Sequence, residues 1–308
     1  MVTAHFQDFA SASSARIRAT IASGRTPVLQ FREMPTPAEI ERANGFCREF
    51  GAAVQLRFFA FGWRAFDTAL LRDLPDVANL SIDTIRAITD FAPIAALPKL
   101  TRLRFGVHEH PDGRFLEALD LPRFTHLTLA ENKRRNFDLA PLAAATALEQ
   151  LFVQGHHRNI AAIAGLPRLA DVSLSGFPKR HDLAFLNDLK PLRSLLLILG
   201  SRASIAEFAH AELAKLRIVW VRQLEDLGPL RRFTGLEELA IEDQLRLTSL
   251  DLSGLDLRRL TITNCKNLRE IIGLEAQTRL EHCLVRGTRV ADDARERRGR
   301  DDGGACYD

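Results

Sequence analysis

Apolar residues recur along this chain in the form LxxLxL, with any aliphatic residue or Phe at the three marked places. The stretch FTHLTLAEN, Phe124–Asn132, is one copy, with Phe124, Leu127 and Leu129 at those places. First members of the copies stand at residues 77, 100, 124, 148, 169, 192, 213, 236, 257 and 280, in steps of 21 to 24. Ten copies at so narrow a spacing make an internal repeat. Alternation within each copy predicts a short strand. Its last two apolar residues point inward, and its third, fifth and seventh places point outward. Between strands the apolar residues stand three apart, as at Ile85, Ile88, Phe91, Ile94, Leu97 and Leu100. That spacing suits 3₁₀ turns and not a long α-helix, whose period is 3.6. Pro98, Pro122, Pro167, Pro191 and Pro229 fall in these return segments, where they would break a long helix.

A single unit of this length cannot bury its apolar edge, but stacked units cover one another. The units LPKLTRLRF, LPRFTHLTLAEN, LPRLADVSLSG and LRRLTITNC resemble the leucine-rich repeat family. The short period is most similar to its bacterial and phosphatase-regulator-like subclass. The resemblance covers residues 77–288 and implies an α/β solenoid. It would be a leucine-rich repeat horseshoe with one long parallel β-sheet, 3₁₀ or irregular return segments and an α-containing N-terminal cap. The family usually places Asn or Cys three residues after the third apolar place, where it bonds backbone between coils. Here only Asn132 and Cys265 fit, and the other units offer Ile85, His108, His156, Phe177, Gly200, Val221, Gln244 and Thr288. An irregular turn after the strand is therefore expected.

Residues 1–76 read as the cap. TPVLQFRE is a strand, and Thr36, Pro37 and Glu39 open a helix that Gly51 closes. A further strand in AAVQLRFFAF puts Leu56 and Phe58 in register with Leu80 and Ile82. Residues 289–308, dense in charge, read as a disordered tail.

Composition narrows the function classes. The 308 residues are 46% hydrophobic and 26% charged, as in a soluble globular protein. A formal net charge of only +3, with no long basic run before the tail, gives nucleic-acid binding no support. No apolar run reaches the length of a membrane span. Only 6 of the 42 basic residues are Lys, a skew that reads as a GC-rich, bacterial source. Cys47, Cys265, Cys283 and Cys306 form no CxxC pair, so a cytoplasmic protein with reduced thiols is expected, Cys306 being the exposed one.

The candidate chemistry lies on the outward sheet face. At fifth and seventh places Phe152, Leu196, Ile198 and Val219 are apolar, and Trp220 lies just beyond Val219. Apolar groups flanked by polar ones mark a contact surface, and Trp is favoured at its centre. Arg104, Arg217 and Glu242 stand on the same face. These eight residues form the candidate partner site. The bland alternative is that Leu196, Ile198 and Val219 lean on one another across strands, or that the register slips in SLLLILG. Lys215, Glu238 and Arg259 read as a cross-strand charge ladder. The pairs His108/His110 and His156/His157 read as loop residues and not as a metal site. No phosphate loop, zinc motif or catalytic dyad is present, so no cofactor is implied. The expected function is a non-enzymatic scaffold for a protein partner. The alternatives are an effector or enzyme-complex subunit whose repeats select the substrate, and a self-associating homo-oligomer.

Overall fold

The structure is a computed structural model that describes residues 3–6, 9–59, 65–109, 114–130, 132–133 and 137–290. The chain forms two compact units, Met1–Ala162 and Ile163–Asp308. His110, Cys306 and nearly all of the charged tail fall outside the described residues.

In the first unit seven parallel strands follow chain order. They are β1 (Thr3–Phe6), β2 (Thr26–Phe31), β3 (Gln55–Phe59), β4 (Asn79–Ile85), β5 (Arg102–Val107), β6 (His126–Leu129) and β7 (Gln150–Gln154). Helix α1 (Ser14–Ala22) connects β1 to β2, and α2 (Pro37–Phe50) connects β2 to β3. Later returns shorten to 3₁₀ turns and the single-turn α3 (Ala92–Ala95). The α2 start is built as its sequence predicts. Thr36 Oγ1 accepts from Glu39 N at 3.3 Å, and Thr36 N donates to Glu39 Oε2 at 2.8 Å. That backbone donor is the main reason the Glu39 carboxyl lies below its ordinary pKa. The helix buries Ile40, Ala43, Phe46 and Cys47. Its Asn44 clasps Asp76 from both sides, Nδ2 donating to Oδ2 and Oδ1 accepting from the Asp76 backbone N, each at 3.0 Å. Lys99 and Arg48 complete the cluster, and the Lys99 bond is the first cause of a lowered Asp76 pKa.

The expected register holds, Leu56 pairing with Leu80 and Phe58 with Ile82. The inward residues form two ladders across β2 to β7. Leu29, Leu56, Leu80, Leu103, Leu127 and Leu151 make one; Phe31, Phe58, Ile82, Phe105, Leu129 and Val153 make the other. Phe rings from the returns stack on the second ladder, with Phe105 and Phe115 centroids 4.3 Å apart. Each buried Leu or Phe contributes about 1.5–3 kcal/mol, an upper bound against an extended chain.

The second unit repeats the plan with shorter returns. Its sheet strands are β8 (Asp171–Ser175), β9 (Ser194–Ile198), β10 (Lys215–Val219), β11 (Glu238–Glu242), β13 (Arg259–Thr263) and β15 (His282–Arg286). Two short strands, β12 (Ser249–Asp251) and β14 (Glu270–Ile272), pair separately in the returns. The ladder Val172, Leu195, Leu216, Leu239, Leu260, Cys283 runs beside Leu174, Leu197, Ile218, Ile241, Ile262, Val285. No register slip occurs in SLLLILG: Leu195 and Leu197 are buried, and Leu196 and Ile198 face outward. Every LxxLxL copy thus carries a strand in a parallel ladder, with 3₁₀ or irregular returns.

Candidate functional site

The sequence singled out six outward residues in the second unit. Ile198 pairs with Val219 in register, and both are half-buried. Leu196 pairs with Arg217. Arg217 Nε donates to Glu242 Oε1 at 2.8 Å, so these two charges are engaged with each other. Lys215 and Glu238 also pair, at 2.9 Å. Trp220 is 56% exposed and Leu199, which the sequence reading missed, is 39% exposed.

Both occupy the place immediately after a strand, and that place has one backbone conformation throughout the unit. Gly176, Leu199, Trp220, Asp243, Asn264 and Gly287 all have φ between 48° and 72°. The left-handed turn aims each amide at the next coil. Gly176 N donates to Ile198 O, Leu199 N to Val219 O, and Trp220 N to Glu242 O, each at 2.9 Å. Asp243 N and Asn264 N continue to Thr263 O and Arg286 O at 3.0 Å. Gly, Asn and Asp suit this conformation, whereas Leu and Trp are strained in it.

One residue further on, the side chains turn inward. Asn132, His156, Gln244, Cys265 and Thr288 are all buried there. His156 Nε2 donates to Ala130 O at 3.0 Å, and its Nδ1 accepts from Phe137 N at 3.3 Å. Gln244 Nε2 donates to Glu242 O at 2.6 Å, and Cys265 Sγ to Ile241 O at 3.8 Å. This is the buried polar place expected after each strand. The chain has a leucine-rich repeat fold. Only Asn132 and Cys265 have the family's usual residue type at this place, and His156 and Gln244 bond backbone there as well. His108 does not. The ladder between β4 and β5 shifts between Asp83 and Ile85, Ile85 pairs with Val107, and Val107 is buried in place of His108.

The cysteines follow their surroundings. Burial pushes the Cys47 thiol up to about 12 and that of Cys265 up to about 11. Cys283 is disulfide-bonded, contrary to the expectation of reduced thiols. Among the described residues no three His, Cys, Asp or Glu side chains group to hold a metal, and no helix is long and apolar enough to cross a membrane.

The outward face of the first unit of this leucine-rich repeat fold is polar. A groove of about 430 Å³ opens over it, lined from β1, β3, β4, β5, β6 and β7. At its centre Asp83 is buried among charges. Arg57 Nε donates to Asp83 Oδ1 at 3.0 Å, Arg104 Nε to Oδ2 at 3.0 Å, and Ser81 Oγ to Oδ2 at 3.2 Å. Gly106 pairs with Asp83, and a Cβ there would stand 3.3 Å from the Cβ atoms of Asp83 and Ala130. Arg104, expected as a partner contact, is therefore bound to its own sheet. Phe152, half-buried on β7, shares its rung, separated from it by Thr128. Beside Asp83 runs the rung Gln55, Asn79, Arg102, His126, Gln150, which the sequence reading did not assemble although every member occupies a third place or its cap equivalent. His126 is held neutral, its pKa lowered to about 4 by burial first and by the Arg102 charge second.

No protein-family model matches the chain, and no curated protein matches it. Solved structures similar to it include two internalins of Listeria monocytogenes. InlF shows 17% identity and a TM-score of 0.49, covering 83% of this chain and 85% of that one. Internalin C2 shows 21% identity and a TM-score of 0.48, covering 68% of this chain and 94% of that one. The leucine-rich repeat domain of APL1B shows 14% identity and a TM-score of 0.41, covering 90% and 80%. The assignment of the repeat rests on its own geometry, and none of these proteins lends this chain a ligand.

Proposed function

We propose that the protein is a non-enzymatic binding module that engages a protein partner through the outward face of its second unit. Trp220 and Leu199 form the centre of that surface, with Ile198, Val219 and Leu196 beside them and the Arg217–Glu242 pair at its edge. One observation carries the reading. Two bulky apolar residues, exposed and at φ 48° and 61°, stand where neighbouring coils place Gly, Asp or Asn. Each costs the fold about 1–2 kcal/mol in backbone strain and leaves apolar surface in water. Strain of this kind gathers at functional sites, and exposed Trp is favoured at protein contacts. Ile198 and Val219 are half-buried against one another and extend the apolar block across two strands.

The test is the pair Trp220→Gly and Leu199→Gly, with wild type as bait in the host lysate. Relief of the left-handed strain raises the unfolding midpoint of both variants, while both lose the partner that wild type captures. A partner retained by both variants overturns the reading. Light scattering of wild type separates a second copy of the chain from a different protein as the occupant.

A further inference from the structure

The groove of the first unit has chemistry of its own. Three guanidinium groups, from Arg57, Arg102 and Arg104, and a single carboxylate, Asp83, line it. Two of them are accounted for, since Arg57 and Arg104 both bond Asp83. The third is not. Arg102 makes no side-chain hydrogen bond or ion pair among the described residues, and its Nε is buried without a partner. A buried donor left unpaired is unfavourable, and this one belongs to a half-buried cation that lines the groove. Its neighbour on the rung is His126, a neutral ring that adds no competing charge and whose Nδ1 is 2.9 Å from Thr125 Oγ1. Gln150 extends the rung with an exposed amide.

We propose that this groove binds an acidic segment of a polypeptide, with one Asp or Glu carboxylate accepting from the Arg102 guanidinium. Asp83 shows that guanidinium groups on this face hold a carboxylate, Arg57 and Arg104 each donating to it at 3.0 Å. Planar two-oxygen groups match the guanidinium fork. The single unengaged cation matches one carboxylate and not a densely charged polyanion. The side-chain amide of Gln150 and the hydroxyl of Thr128 suit the peptide groups on either side. A volume of about 430 Å³ accommodates a few residues and falls within the range of ligand clefts.

His126 supplies the readout, because a carboxylate on Arg102 offsets the charge that helps to depress its pKa. The ring proton of His126, assigned with His126→Gln, is followed by NMR on the full chain. The probes are a capped tetrapeptide with two central glutamates, the same peptide with glutamines, and inorganic phosphate. The glutamate peptide is expected to move the signal saturably and to raise its titration midpoint by about one pH unit. The glutamine peptide and phosphate leave it in place, and Arg102→Gln abolishes the response. Arg102→Lys keeps the charge without the fork and weakens the response at least tenfold, so the idea remains testable if Arg102→Gln fails to fold. An unmoved signal, an equal response to glutamine peptide or phosphate, or an undiminished response in either Arg102 variant overturns the proposal. The reading for the second unit is decided separately, by the Trp220 and Leu199 variants.

Discussion

Where the first unit stacks Phe31, Phe58 and Phe105 under its sheet, the second stacks Leu197, Ile218 and Ile241 at the same place. The outward faces differ in the opposite sense. Above the aromatic core lie Arg57, Asp83, Arg102, Arg104 and His126; above the aliphatic core lie Ile198, Val219, Leu199 and Trp220. Of the five large apolar residues that are exposed among those described, Leu199, Trp220, Leu245 and Ile272 belong to the second unit, and only Met34 to the first. One backbone plan therefore carries two kinds of surface. The inward ladder fixes the fold and leaves the third, fifth and seventh places free to vary.

That comparison can be broken at several points. The largest effects come from the cores. Phe105→Ala is expected to cost about 3–5 kcal/mol and Leu239→Ala about 2–5 kcal/mol in chemical denaturation, since both side chains are buried. A loss below about 1 kcal/mol for either would mean that its coil is not packed as described. Next is Gly200→Ala. A Cβ there would lie 2.4 Å from Phe177 O at φ +80°, so a loss of about 2 kcal/mol or more is expected.

The charged groups separate the two faces more finely. Asp83→Asn leaves Arg57 and Arg104 without their anion and should cost about 1–3 kcal/mol. Glu238→Gln, which breaks the exposed pair with Lys215, should cost less than about 1 kcal/mol. Equal losses would erase the distinction between an organised polar face and a solvated one. Trp220→Gly and Leu199→Gly act with the opposite sign and stabilise by about 1 kcal/mol, read as a higher urea midpoint.

A further difference between the faces is a pH dependence. His126 takes up its proton near 6.5 in an unfolded chain but only near about 4 in the folded one. Its contribution to stability is therefore full above pH 6.5 and is lost as the pH falls towards 4. Midpoints measured between pH 7 and 4.5 should fall less steeply for His126→Gln than for wild type. Identical slopes would place His126 in water.

The repeat itself was plain in the sequence, since burial imposes LxxLxL on every coil and each copy forms a strand. So was the α2 start, where Thr36 and Glu39 act locally. Strand β1 and helix α1 were not, because Thr3–Phe6 is too short to show alternation and Ser14–Ala22 carries one fully buried residue, Ile17. Of the candidate site, Ile198, Val219 and Trp220 were legible as apolar residues at outward places. Leu199 was missed because its meaning depends on φ, which no spacing announces. The engagement of Arg104 by Asp83 was hidden for another reason: the two residues stand on adjacent strands, 21 positions apart in the chain. Reading down the third places, from Asn79 through Arg102 and His126 to Gln150, would have revealed that rung.

The left-handed place after each strand of the second unit has a consequence for how such a surface can change. The backbone hydrogen bond from that place to the next coil is made by Gly, Leu, Trp, Asp and Asn alike. Glycine at Trp220 with tryptophan at Asp243 would shift the apolar knob by one coil, about 5 Å along the sheet, and leave every buried layer in place. The array thus works as a ruler whose marks can be moved one at a time, and new recognition can arise by single substitutions without refolding the chain.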